Sequence, residues 1–247
     1  MTYCVGILLR DGLVMIADTR TNAGLDNIAT FKKLHVFSKP GDRVISIATA
    51  GNLAITQSVL SLLSEGVENP DTGELDTVYT QTSMFKTAQL VGRAIREVYR
   101  TDGKMLEAKN LTFEVTMLLG GQIKGGRLRL FMIYAAGNFI EATIDTPYLQ
   151  IGEHKYGKPI LDRAVKFDTD IQDGLKIGLI SMDSTMRSNL GVGMPIDLIV
   201  VPRDRIEPDL HYRIEPGEPY FHDLRERWSA ALRAAHQAIP RPPYSLG

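Results

Sequence analysis

Two hairpins written into the first fifty residues constrain this chain more than any other feature. Tyr3–Leu9 and Leu13–Ala17 are apolar runs separated by Arg10-Asp11-Gly12, a turn signal. Leu34–Phe37 and Val44–Ala48 repeat the scheme around Lys39-Pro40-Gly41-Asp42. Antiparallel strands joined by a short turn bring the start of one beside the end of the next. Thr2 is therefore expected near Asp18, and Lys33 near Thr49. If strands two and three are also antiparallel neighbours, all four positions share one sheet edge. The longer connection Thr19–Lys32 leaves that last step an assumption.

The rest of the chain reads as further layers. Gly51 precedes a helix with Asn52 as its N-cap and Leu53, Val59, Leu60 and Leu63 among its apolar residues. Met84, Ala88, Val91, Ile95 and Val98 recur at three- and four-residue steps, a helix ending near Gly103. Thr112–Leu119 and Leu128–Tyr134 flank a glycine-rich turn as strands, and Asn138–Ala142 follows as a third. Helices are expected over Pro159–Phe167 and Ile171–Met186, then a strand over Ile196–Val201. Two sheets covered by two helical layers account for that order, an α+β domain over residues 1–204. Residues 205–247 change character: they are rich in proline and carry an amphipathic segment, Asp223–Ala238. We read them as a C-terminal helical extension suited to a subunit contact.

The chemistry begins at Met1-Thr2. Removing Met1 would leave Thr2 with a free α-amino group, so one residue would hold both a nucleophile and its base. Such an amine has a reference pKa of about 7.7–8.0, against about 10.4 for lysine, which suits proton shuttling near neutrality. Lys33 nearby would lower the hydroxyl's pKa, and Asp18 would hold Lys33 charged and oriented. Backbone N–H groups at Gly51 and the helix start are expected to receive an oxyanion. Blander readings stand beside these. Asp18 can simply cap a turn, Lys32 and Lys33 can be a solvated pair, and Gly51 can serve only as a helix-entry glycine. Cys4, within an apolar strand, reads as a small buried residue.

The set of motifs resembles the proteasome-type N-terminal-threonine peptidases, and within them the bacterial Anbu (ancestral β-subunit) group. Met1–Gly6, Leu13–Thr21, Phe31–Phe37, Ala50–Ala54, Ile151–Pro159 and Ser181–Leu198 carry the resemblance, which spans most of the chain. It implies a four-layer αββα sandwich of the N-terminal-nucleophile hydrolase type. It also implies Thr2 as nucleophile, Asp18 and Lys33 as its support, Gly51 as oxyanion donor and Thr49 in the specificity pocket. The family's second-half Asp-x-x-Ser pattern falls on Asp183 and Ser188, although the spacing here is longer. Glu153 stands where β-subunits usually carry serine, a departure that predicts weak or narrow activity. Many β-subunits carry a propeptide, whereas maturation here is expected to need only loss of Met1.

Composition sets outer bounds. The formal net charge of −1 gives no basic field for nucleic acid, and no apolar run reaches transmembrane length. One cysteine excludes an intrachain disulfide and fits a reducing cytoplasm. The five histidines lack metal-ligand spacing, so neither metal nor cofactor is expected. Gly120–Gly126 lacks the Gly-Lys-Ser/Thr ending of a phosphate loop, so ATP-driven unfolding would require a separate unfoldase. The expected function is hydrolysis of peptide bonds within a self-assembled ring or helical ring. The alternatives are a small-amide amidohydrolase of the same fold, or an assembling scaffold with a vestigial site.

Overall fold

The computed structural model describes residues 1–22 and 28–244. The first hairpin is β1 (Tyr3–Leu8) and β2 (Gly12–Asp18). Its apolar runs are continuous because both faces are buried. Val5, Ile7, Val14 and Ile16 turn toward helices, while Cys4, Leu8, Leu13, Met15 and Ala17 turn inward against a second sheet. A short pair, β3 (Arg20–Asn22) and β4 (Ile28–Thr30), leads to the second hairpin. This is β5 (Leu34–Lys39) with β6 (Arg43–Gly51), in the register Leu34↔Ala48.

Helix α1 (Leu53–Glu65) follows, N-capped by the Asn52 side chain as expected. The polar connection after it holds a two-residue ladder, β7 (Val67–Glu68) with β8 (Leu75–Asp76). Helix α2 (Met84–Val98) runs through a π-turn at Tyr99–Gly103 into α3 (Lys104–Ala108). Strands β9 (Val115–Ile123), β10 (Arg129–Ile133) and β11 (Phe139–Glu141) form a meander, and β12 (Tyr148–Gly152) comes next. Then come α4 (His154–Ala164), α5 (Ile171–Ser188), β13 (Ile196–Pro202), β14 (Leu210–Ile214) and α6 (Pro219–Ala238).

Two five-stranded antiparallel sheets result, ordered β12-β1-β2-β13-β14 and β11-β10-β9-β6-β5. Helices α4 and α5 cover the first and α1 and α2 the second, giving the four-layer sandwich. Ile45, Ile47, Val115, Met117 and Leu119 meet α1 and α2, while Val44, Ala48 and Leu118 face the other sheet. The two hairpins therefore lie in different sheets, and the pairing of strands two and three that was only assumed does not occur. β13 occupies the free edge of β2 (Ile196↔Asp18), and β9 occupies that of β6 (Gly51↔Val115). The hairpins stack face to face instead.

The last segment also departs from expectation. β14 pairs with β13, so residues 205–247 add a strand to the first sheet before α6 leaves it. Helix α6 buries only Phe221 and Leu224, and its second half is exposed.

Candidate functional site at the sheet ends

The register of the first hairpin, Cys4↔Ala17, sets Asp18 opposite Tyr3. The Tyr3 N–H donates to Asp18 Oδ1 at 3.0 Å, which fixes Thr2 one residue beyond. On the other sheet Leu34↔Ala48 sets Lys33 opposite Thr49, whose N–H donates to the Lys33 carbonyl at 3.0 Å. Face-to-face packing of the sheets, and not the assumed in-sheet pairing, then closes the gap. Lys33 Nζ donates to Asp18 Oδ1 at 2.8 Å, to the Arg20 carbonyl at 2.6 Å and to the Met1 carbonyl at 3.2 Å. Lys33 is buried and Lys32 exposed, so the pair is not a solvated one.

Asp18 is wholly buried, and Thr2 and Lys33 are 8% and 4% exposed. Burial pushes the Asp18 carboxyl above the ordinary carboxylate range, against the pull of Lys33 and of the Tyr3 and Gly193 amides. The Gly193 N–H holds the second carboxylate oxygen, Oδ2, at 3.2 Å. That contact was not foreseen, although Gly193 lies inside the Ser181–Leu198 motif. Burial also raises the Cys4 thiol, which sits in the inter-sheet core and is unsuited to attack.

Met1, Thr2, Thr21, Lys33, Thr49 and Gly51 are among the residues lining a cavity of about 360 Å³. Gly51 in its wall and Gly152 beside Thr2 are both close backbone approaches. Gly51 has φ +113° and a Cβ there would lie 2.3 Å from the Glu114 carbonyl oxygen. Gly152 has φ +79°, with the Thr2 carbonyl oxygen 2.0 Å from its ideal Cβ position. The Glu153 N–H donates to that same carbonyl at 2.7 Å, so β12 clamps Thr2 from the far side.

The helix start is less available than expected. The Ala54 and Ile55 amides point at the Asn52 side chain, and the Asn52 N–H is taken by the Glu114 carbonyl at 2.8 Å. Asp183 and Ser188 are not brought into the cluster. Asp183 is buried beneath Arg225 (2.6 Å) and Arg187 (3.1 Å), and Ser188 is exposed on the last turn of α5. Among the described residues neither bonds to Thr2, Asp18 or Lys33, nor does any His/Cys/Asp/Glu group fit a metal ion.

Residues 2–201 match the family model described as proteasome subunit. This chain belongs to the proteasome subunit family, in its Anbu branch. Anbu (ancestral β-subunit) from Yersinia bercovieri superposes with a TM-score of 0.89 at 45% identity, over 99% of this chain and 100% of that one. The Anbu complex from Pseudomonas aeruginosa, described as a helical assembly, gives 0.90 at 46% identity over 98% of each chain. A probable proteasome subunit β type-2 of Schizosaccharomyces pombe is 26% identical over 222 residues, 88% of this chain and 73% of that protein. Within the Anbu fold the family match begins at Thr2, the residue clamped between β12 and the Lys33–Asp18 pair.

Proposed function

We propose that this protein is a threonine-type peptidase of a self-assembled, proteasome-like particle, activated by loss of Met1. The observation that carries this reading is the Lys33 ammonium, which is held by buried Asp18 and reaches the Met1 carbonyl at 3.2 Å. Cutting the Met1–Thr2 bond removes that carbonyl and creates an amine in the same place, beside a fixed positive charge. The charge favours the neutral amine and the developing alkoxide together.

The Thr2 amine takes the proton from the Thr2 hydroxyl as Oγ1 attacks the substrate carbonyl. The Thr49 N–H faces β5, and the alternation of the strand turns the Gly51 N–H toward the same edge, past the last bond to Lys33. There it receives the oxyanion. The leaving amine collects the proton, an ester to Thr2 remains, and water releases it. The side chain on the acyl side lies in the cavity floored by Thr49. The assembly follows from likeness to the helical Pseudomonas aeruginosa complex, and a separate ATP-dependent unfoldase would feed it folded substrates. On its single buried cysteine we assign the particle to the reducing cytoplasm.

Intact mass and peptide hydrolysis together test the reading. Protein lacking Met1 should cleave fluorogenic peptides, and Thr2→Ala should lower the rate by at least about 100-fold. Equal rates in the two proteins would overturn it.

A further inference from the structure

A second cavity, of about 530 Å³, lies on the other side of Gly51 from the Thr49 pocket and shares Ala50 and Gly51 with it. Gly152, the residue pressed against the Thr2 carbonyl, also lines it, so the nucleophile stands between the two. Its other walls include Phe113, Glu114, Thr116 and Tyr134. The pleat of β9 explains their arrangement. Val115 and Met117 point into the helix-side core and Leu118 into the space between the sheets. Thr116, and Glu114 just before the strand, therefore fall on the inter-sheet side, at the mouth where Thr2 sits.

Glu114 is exposed and accepts a hydrogen bond from Thr112 Oγ1 at 2.9 Å, and among the described residues no cation pairs with it. An unpaired carboxylate in the lining of a cavity that also holds Tyr134 suits a long cationic side chain. Its stem would lie along the apolar part of that lining, and its charge would meet the carboxylate.

We propose that this cavity is a second substrate subsite, which takes a lysine or arginine side chain of the peptide on the leaving-amine side of the scissile bond. The proposal rests on the peptidase reading above but addresses a different half of the substrate. The Glu114 backbone is also part of the oxyanion turn, through its carbonyl and the Asn52 N–H. A ligand seated here therefore touches the residue that buttresses Gly51.

The test uses labelled peptides identical except for lysine, norleucine or glutamate at the position after the cleaved bond. Cleavage is followed with the protein lacking Met1, and binding is followed by fluorescence anisotropy with Thr2→Ala. The expected order is lysine, norleucine, glutamate in both readouts, with about fivefold between the extremes. Glu114→Lys, an exposed substitution that spares the core, should invert the order. Cleavage without any order, or an order that Glu114→Lys leaves unchanged, would overturn the subsite while leaving the nucleophile standing. An ordered binding to Thr2→Ala without cleavage by the wild type would support the subsite and sink the peptidase reading. Absence of both binding and cleavage would remove both.

Discussion

Lys33 is the residue on which most of the site depends. Its ammonium is buried, and the carboxylate it neutralises is wholly so. Removing one member of such a pair strands the other, a loss of about 3–5 kcal/mol. Lys33→Ala should therefore lower both unfolding stability in urea and peptide turnover, whereas Lys32→Ala should change neither. Acidity gives a second expectation. Burial raises Asp18, so the folded chain binds that proton more tightly than the unfolded chain does. Protonation of this group thus favours the folded state, and its contribution to stability is lost as pH rises through the raised value. On acidification through the same window the ion pair with Lys33 is lost but the fold is not, as far as this group is concerned. Turnover should fall on an acid limb above the ordinary aspartate range while the melting temperature holds or rises. A limb at the unperturbed aspartate value would contradict the burial argument.

At the scale of elements, α6 is the part whose attachment can be measured. Its first half is held by Phe221, Leu224 and the Arg225–Asp183 ion pair, and its second half projects into solvent. Arg225→Ala leaves buried Asp183 with Arg187 alone, and because Arg225 is one-third exposed the cost should be about 1–3 kcal/mol. Amide exchange should be faster throughout α6 in that variant and unchanged in β1 and β2. Unchanged exchange in α6 would show that the apolar contacts suffice.

The elements also show what a sequence can tell. Continuous apolar runs in β1, β2 and β6 were legible because both faces are buried. The pairing of the hairpins was not, since local pattern does not say which strand takes a free edge. β12 and β14 were missed because Gln150, His211 and Tyr212 break the apolar signal, and β14 is largely exposed. Helix α4 starts at His154, five residues before the proline expected to open it, and Pro159 sits inside it. Within the site, turn geometry alone brought Thr2 to Asp18 and Lys33 to Thr49. Gly193 was hidden because its contribution is a backbone N–H, for which side-chain chemistry gives no sign. Asp183 misled because a carboxylate in a familiar pattern was already matched by arginines 4 and 42 residues away in sequence.

For the whole molecule, the site belongs to neither sheet. Asp18 and Thr2 come from one, Lys33, Thr49 and Gly51 from the other, and the inter-sheet core of Cys4, Met15, Ala48 and Leu118 holds them in register. Small changes in sheet packing should therefore act on chemistry before they act on stability. The most direct measurement is a rapid acid quench of the protein lacking Met1 during turnover of a peptide ester, with the N-terminal fragment Thr2–Arg10 sequenced by mass spectrometry. The account predicts the acyl group on the Thr2 hydroxyl. An acyl group on Cys4, or a fragment that stays unmodified while turnover proceeds, would contradict it.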